Sequence, residues 1–253
     1  PPFAAEVVVV ESTYGDRNPP GDSTERLAQV IRRTEARGGS VLIPAFAVDR
    51  TEVLLMALRR LRQEGRIPPM PVYVDSPMAL GALQIYRQAI SEGWPEIRPD
   101  VAGGVEAFEA GEVHEARTVA DSMTLNAPRR PVIAVSASGM ATGGRVVHHL
   151  KHLLPDPRHT VVLPGYQAVG TRGRDLAEGA SEVKIHGEWV PVRAQIEDLV
   201  TQATGLPMMI EEEPSLAEGQ VYIRFGTAET KVDLAQVTTD IAAAVRAFFN
   251  LNT

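Results

Sequence analysis

The sequence predicts an α/β fold: a mostly parallel sheet with helices on both faces, followed by a small C-terminal β-β-α tail. Three observations carry this expectation. Short apolar runs alternate with longer amphipathic segments over most of the chain. The links between them are short, and short links between alternating strands and helices favour parallel strands covered on both sides. The runs are continuously apolar, as in "EVVVV" at 6–10, the pattern of strands buried on both faces.

The elements follow in order. After "EVVVV", Asp22 and Glu25 have capping-box spacing ahead of "RLAQVIRRTEAR", and Gly38-Gly39 closes that helix. "SVLIPA" is the next strand; Asp49 and Glu52 repeat the capping-box spacing before "VLLMALRRLRQEG", which Gly65 ends. "PVYVDSP" reads as a third strand and "MALGALQIYRQAIS" as a third helix. Between Glu92 and Asp121 the pattern weakens and acids collect, which predicts a surface excursion with short helical pieces. "PVIAVSA", "HTVVLPG" and "EVKIHG" supply three more strands, separated by helices starting near Gly143 and Thr171. After about Val192 the texture changes. "RAQIEDLVTQATG" reads as helix, "GLPMMIEEEPSLAEGQVYIRFG" as strand, acidic turn and strand, and "DLAQVTTDIAAAVRAFF" as an amphipathic terminal helix. The expected organisation is an α/β domain over 1–196 and a divergent C-terminal segment over 197–253.

The 253 residues are 44% hydrophobic and 23% charged, which suits a globular chain with a sizeable core. No apolar run approaches the roughly 18 residues of a membrane helix, so no membrane partner is expected. The opening "PPFAAEVVVVESTYG" lacks the basic n-region and cleavage site of a signal peptide and reads as a cut domain boundary, so a cytoplasmic location is expected. With no cysteine, these residues can form no disulfide, thiolate nucleophile or Cys-ligated zinc. The net charge of −7 is unevenly spread. From Arg129 to Arg174, Arg129, Arg130, Arg145, Lys151, Arg158, Arg172 and Arg174 face only one acid, Asp156. An anion-binding face on an acidic body is the expectation, against the alternative of a cluster that folding disperses.

Ligands of open α/β sheets gather at the carboxyl ends of the strands. Here those ends lead into "ESTYGDR" (11–17), "PAFAVDR" (44–50), "DSPMA" (75–79), "SASGM" (136–140) and "GYQAVGTRGR" (165–174). Such composition suits backbone amides, hydroxyls and guanidinium forks that hold oxyanions. The candidates are Ser12, Thr13, Arg50, Ser76, Ser136, Ser138, Gly139 and Met140, then Gly143, Gly144 and Arg145. Tyr166, Gln167, Gly170, Thr171, Arg172 and Arg174 complete them. "SASGMATGGR" is expected to be a phosphate cradle, its glycines admitting an anion to the start of the next helix; the alternative is a packed corner. Arg145, Arg172, Arg174 and Lys151 are expected to bind phosphates, with Tyr166 and Tyr14 as base-stacking platforms. His148 and His152 share a helix face while His149 points elsewhere. No glutamate lies between them in the catalytic place of an HExxH helix and no third ligand is evident, so no metal is assigned.

Together "VVVESTYGDR", "GGSVLIPAFAVDRTEVLL", "PVYVDSPMA", "ASGMATGGRVVHHLKHLLPDPRHTVVLPGYQAVGTRGR" and "VKIHGEWVPVRAQI" resemble the β-CASP family of metallo-β-lactamase-fold RNA-processing nucleases, over about residues 6–196. The resemblance implies an RNA-specificity domain that clamps single-stranded RNA over a zinc cleft. Glu11 matches the acidic residue of the family's first motif. It also implies an HxHxDH zinc signature upstream, and FSxHxD and HGE motifs downstream that this sequence does not show, since no histidine follows His186. The expectation is therefore a chain without its own cofactor, inactive alone, whose complete enzyme carries zinc on a metallo-β-lactamase-fold catalytic partner. A homodimer is left open. The alternative function is a non-catalytic interaction or scaffold protein that keeps the β-CASP fold. A small-molecule phosphate enzyme is disfavoured, because neither GxGxxG nor a Walker lysine motif occurs.

Overall fold

The computed structural model describes residues 23–95, 97, 107–200, 220–225, 228–233 and 239. Its elements are α1 (Ser23–Ala36), β1 (Val41–Pro44), α2 (Arg50–Gln63), β2 (Val72–Asp75), α3 (Pro77–Glu92), β3 (Val113–Glu115) and α4 (Val119–Thr124). There follow β4 (Ile133–Ser136), α5 (Arg145–Leu153), β5 (Thr160–Leu163), α6 (Arg172–Ala177), β6 (Glu182–Ile185), β7 (Glu188–Pro191) and β8 (Gln195–Asp198). All of these belong to one compact unit, Asn18–Ala203. A second unit holds β9 (Gln220–Phe225) and β10 (Ala228–Asp233), an antiparallel pair in which Ala228 faces Phe225.

Six strands form a parallel sheet in the order β3-β2-β4-β1-β5-β8. Strands β1, β4 and β5 are buried at every position, as their continuous apolar runs require. Alternate residues feed two cores. Val41, Ile43, Ile133, Val135 and Val162 pack under α1, α2 and α3 with Ile31, Leu55, Leu58 and Leu83. Leu42, Ala134, Val161 and Leu163 pack on the other face with Leu125, Val146, Leu150 and Leu176. Helix α5 shows why: Val146, His149, Leu150 and Leu153 recur at helical spacing and all are buried. Each fully buried leucine contributes about 1.5–3 kcal/mol.

The α/β expectation stands, with three corrections. The segment "EVKIHG" adds no strand to the sheet. Strand β6 instead pairs antiparallel with β7, Lys184 opposite Trp189, through a turn in which His186 (φ 48°) and Gly187 (φ 87°) are both left-handed. The segment "RAQIEDLV", expected to be helical, contains β8, which completes the unpaired edge of β5 with Ile196 beside Val161. The Asp49–Glu52 capping box does not form: Asp49 makes no side-chain cap bond and Glu52 is buried. The 92–121 excursion contributes β3, at the far edge of the sheet. Glu11, Ser12, Thr13, Tyr14, Asp22 and nearly all of the expected terminal helix lie outside the described residues. No described helix is long and apolar enough to cross a membrane.

Candidate functional site

Because the strands are parallel, all their carboxyl ends share one edge of the sheet. Helix α2 leaves β1 toward one face, while α5 leaves β4, its neighbour, toward the other. In open α/β sheets ligands gather where neighbouring strand-end loops diverge in this way. Here Phe46, 48% exposed, lies against Gly139; a β-carbon on Gly139 would sit 2.9 Å from both the Phe46 ring and its backbone nitrogen. Asp49 adopts φ 68° and ψ −58°, and Arg50 N donates to Val48 O at 2.8 Å, a strained γ-turn centred on a non-glycine residue. That turn delivers Arg50 to the edge, where its guanidinium makes no hydrogen bond or ion pair among the described residues.

The expected cradle loop is tightly built from within. Ser138 Oγ accepts from the amides of Thr142 (3.2 Å) and Gly143 (3.3 Å). Gly144 sits at φ 76°, with its absent β-carbon position 2.5 Å from Ala137 O, so only glycine fits. Val146 N at the start of α5 already donates to Ala137 O at 3.2 Å. Gln167, 3% exposed, staples this loop to the next: Nε2 donates to Gly139 O (3.1 Å) and Gly165 O (3.0 Å), and Gly173 N donates to Met140 O. Gln167 Oε1 is buried without a partner among the described residues. Gly143 borders open space and Gly170 takes φ 80°. Tyr166 is half-buried in the same loop.

Several expected anion ligands are already committed. Arg172 donates from Nε and Nη2 to Lys184 O (3.0 and 2.8 Å) and from Nη1 to Ala141 O. Arg174 pairs with Glu178 at 2.7 Å and Lys151 with Glu188 at 2.9 Å. Thr171 caps α6, accepting from Arg174 N, and Ser76 caps α3, accepting from Ala79 N. Ser136 is buried and donates to Asp75 O. Arg145 turns inward to Asp75 Oδ1 (2.7 Å), Ala116 O (2.7 Å) and Arg117 O (3.2 Å).

That last contact marks a node the sequence reading passed over. Asp75, fully buried, accepts from Arg145, from His149 Nε2 (2.5 Å) and from Ser122 Oγ (2.8 Å). Burial works to raise its pKa, but the bonds from His149, Arg145 and Ser122 outweigh it and hold the carboxyl below its ordinary value. His149 Nδ1 pairs with Asn126 Oδ1 at 2.8 Å. The signal was present: His149 lies on the apolar stripe of α5, and Asp75 alternates with Tyr73 toward the same face. Glu52 was also passed over. It is 3% exposed, neither carboxyl oxygen has a partner among the described residues, and burial pushes its pKa up.

His148 and His152 are exposed, and the His148 ring stacks obliquely on His186 at 4.6 Å. Among the described residues no three histidines, aspartates or glutamates converge to hold a metal ion. The described residues therefore do not fit a zinc centre.

The six-stranded parallel sheet with helices on both faces is consistent with the β-CASP class, and the sequence matches the Beta-Casp domain over residues 51–176. The chain belongs to the β-CASP family. It is 36% identical over 200 residues to a ribonuclease of Thermus thermophilus, covering 78% of this chain and 46% of that protein. It is 35% identical over 204 residues to an RNase J-like protein of Methanocaldococcus jannaschii, covering 79% and 46%. With the transcription termination factor FttA of Pyrococcus abyssi the identity is 34% over 193 residues, 72% of this chain and 29% of the factor. The chain thus spans less than half the length of each of these relatives.

Proposed function

We propose that this chain is the RNA-specificity domain of a zinc-dependent, metallo-β-lactamase-fold ribonuclease acting in RNA processing or decay. The metal-binding half comes from another segment of the parent polypeptide. The observation that carries the reading is the segment after β1, which bears the half-exposed Phe46 and Arg50, whose guanidinium has no partner among the described residues, in a chain similar to ribonucleases. A half-exposed aromatic ring offers a stacking face to any base, and a guanidinium fork suits a phosphodiester oxygen. The backbone of the 137–144 loop and the staple from Gln167 hold the strand-end edge in shape. In this reading Glu11, with Ser12 and Thr13, matches the family's first acidic motif; all three lie outside the described residues. Since the described residues do not fit zinc, no catalytic step is assigned to them.

The test is titration of the chain with a labelled single-stranded oligoribonucleotide and with the matching duplex. Preferential single-strand binding, weakened by Phe46→Ala, is the expected result. Duplex binding that is equal or tighter would overturn the reading.

A further inference from the structure

The opposite edge of the sheet carries a second site. Three helix-to-strand corners, ahead of β1, β4 and β5, enclose a cavity of about 350 Å³ lined by Arg129, Arg130, Arg158, His152, His159 and Asp156 among others. Three arginines face one acid. Arginines near helix carboxyl ends ordinarily cap carbonyls or pair with acids. Arg130 does pair with Glu112 (2.6 Å), and Arg158 places Nε and Nη2 on Asp156. Arg129 does neither: its guanidinium has no hydrogen bond or ion pair among the described residues, although it lines the cavity.

The walls are preset. Ser40 N donates to His159 Nδ1 at 2.9 Å, which fixes the proton on Nε2, and Ser40 Oγ accepts from Val132 N at 3.1 Å. Burial lowers the pKa of His159, so its ring stays a neutral donor. The bond from Arg158 holds the Asp156 carboxyl at a pKa of about 2, so it stays ionised, and the Arg158 guanidinium 2.6 Å away balances its charge. Arg129 thus lines the cavity with no partner among the described residues, together with the His159 ring, whose Nε2 lies 3.7 Å from Asp156 Oδ2. No aromatic side chain other than the two imidazoles lines the cavity for base stacking.

We propose that this cavity is an anion site for a phosphate or pyrophosphate group, either free or carried by a nucleotide, with Arg129 as its principal ligand. It is separate from the strand-end loops. Asn126 both lines the cavity and bonds His149 of the Asp75 node.

Calorimetric titration of the full chain with inorganic phosphate, pyrophosphate and adenosine monophosphate tests it. Binding of at least one probe with Kd near or below about 1 mM is expected, weakened about tenfold by Arg129→Ala and unchanged by Arg50→Ala. Preference for the nucleotide over both inorganic anions identifies a nucleotide source; the reverse identifies a free anion. Because Arg129 is exposed, the fold of R129A can be verified by circular dichroism. No binding by any probe, or equal binding by R129A, would overturn the site. Either result leaves the RNA reading of the other edge standing, because that reading is tested by Phe46 and Arg50.

Discussion

Replacing Asp75 should cost more stability than any substitution at the exposed edge. Its carboxylate is fully buried and accepts from a guanidinium, an imidazole and a hydroxyl. Removing one partner of a buried charged pair costs about 3–5 kcal/mol. Arg145 would keep its bonds to Ala116 O and Arg117 O, so Asp75→Ala belongs at the low end, about 3 kcal/mol. Asp75→Asn preserves volume but turns one acceptor oxygen into an NH₂ facing existing donors, for about 2 kcal/mol. Urea unfolding followed by circular dichroism measures both, and a double-mutant cycle with His149→Ala should show coupling of about 1 kcal/mol or more. The pH dependence has a definite sign. The folded pKa of Asp75 lies below the unfolded value of about 3.9, so its contribution is complete above that pH and is lost as pH falls toward the folded value. Losses under about 0.5 kcal/mol for Asp75→Asn, or additive effects in the cycle, would refute the node.

Other substitutions separate the remaining ideas. Asp49→Gly relieves a positive-φ γ-turn and should stabilise the chain by about 1 kcal/mol in thermal unfolding; no gain in stability would contradict the strain. Glu52 has a folded pKa above its unfolded one, so its contribution is present at low pH and is lost as pH rises through the folded value; Glu52→Gln should flatten that slope in unfolding measured across pH and raise stability at neutral pH by about 1 kcal/mol. Arg172→Ala frees Lys184 O and Ala141 O, so it should lower unfolding stability by about 1 kcal/mol while leaving RNA affinity, read by fluorescence anisotropy, unchanged. The chain alone should not cleave labelled single-stranded RNA with added Zn²⁺ or Mn²⁺; turnover abolished by Glu11→Gln would contradict this.

The sheet was legible wherever a strand is buried on both faces, because β1, β4 and β5 have no room for a polar side chain except at their ends. Strand β8 was not. It is a half-buried edge whose Ile196, with Leu199 and Val200 just after it, also fits a helical stripe, and what decides its state is the open edge of β5, which local sequence does not encode. The hairpin β6–β7 was legible in principle, since "EVKIHGEWVP" alternates about a His-Gly turn, but its separation from the sheet is a tertiary fact. At the site, composition identified the loops but not the occupancy of their side chains. Nothing in "TRGR" says that Arg172 is spent on carbonyls, whereas Arg50 is left open by a γ-turn that only coordinates reveal.

If single-stranded RNA binds at the strand-end edge, Phe46 and Arg50 of the segment after β1 contact it. This central claim is tested most directly by measuring affinity for a short oligoribonucleotide from low to moderate salt, in the parent chain and in F46A and R50A. The account predicts a steep linear fall of log K with log salt, because each neutralised phosphate contributes a slope of about −0.7 on a single strand. R50A should flatten that slope by about 0.7, while F46A should lower affinity by about 1–3 kcal/mol with the slope unchanged. A salt-independent affinity, or slopes and affinities identical in all three proteins, would contradict it.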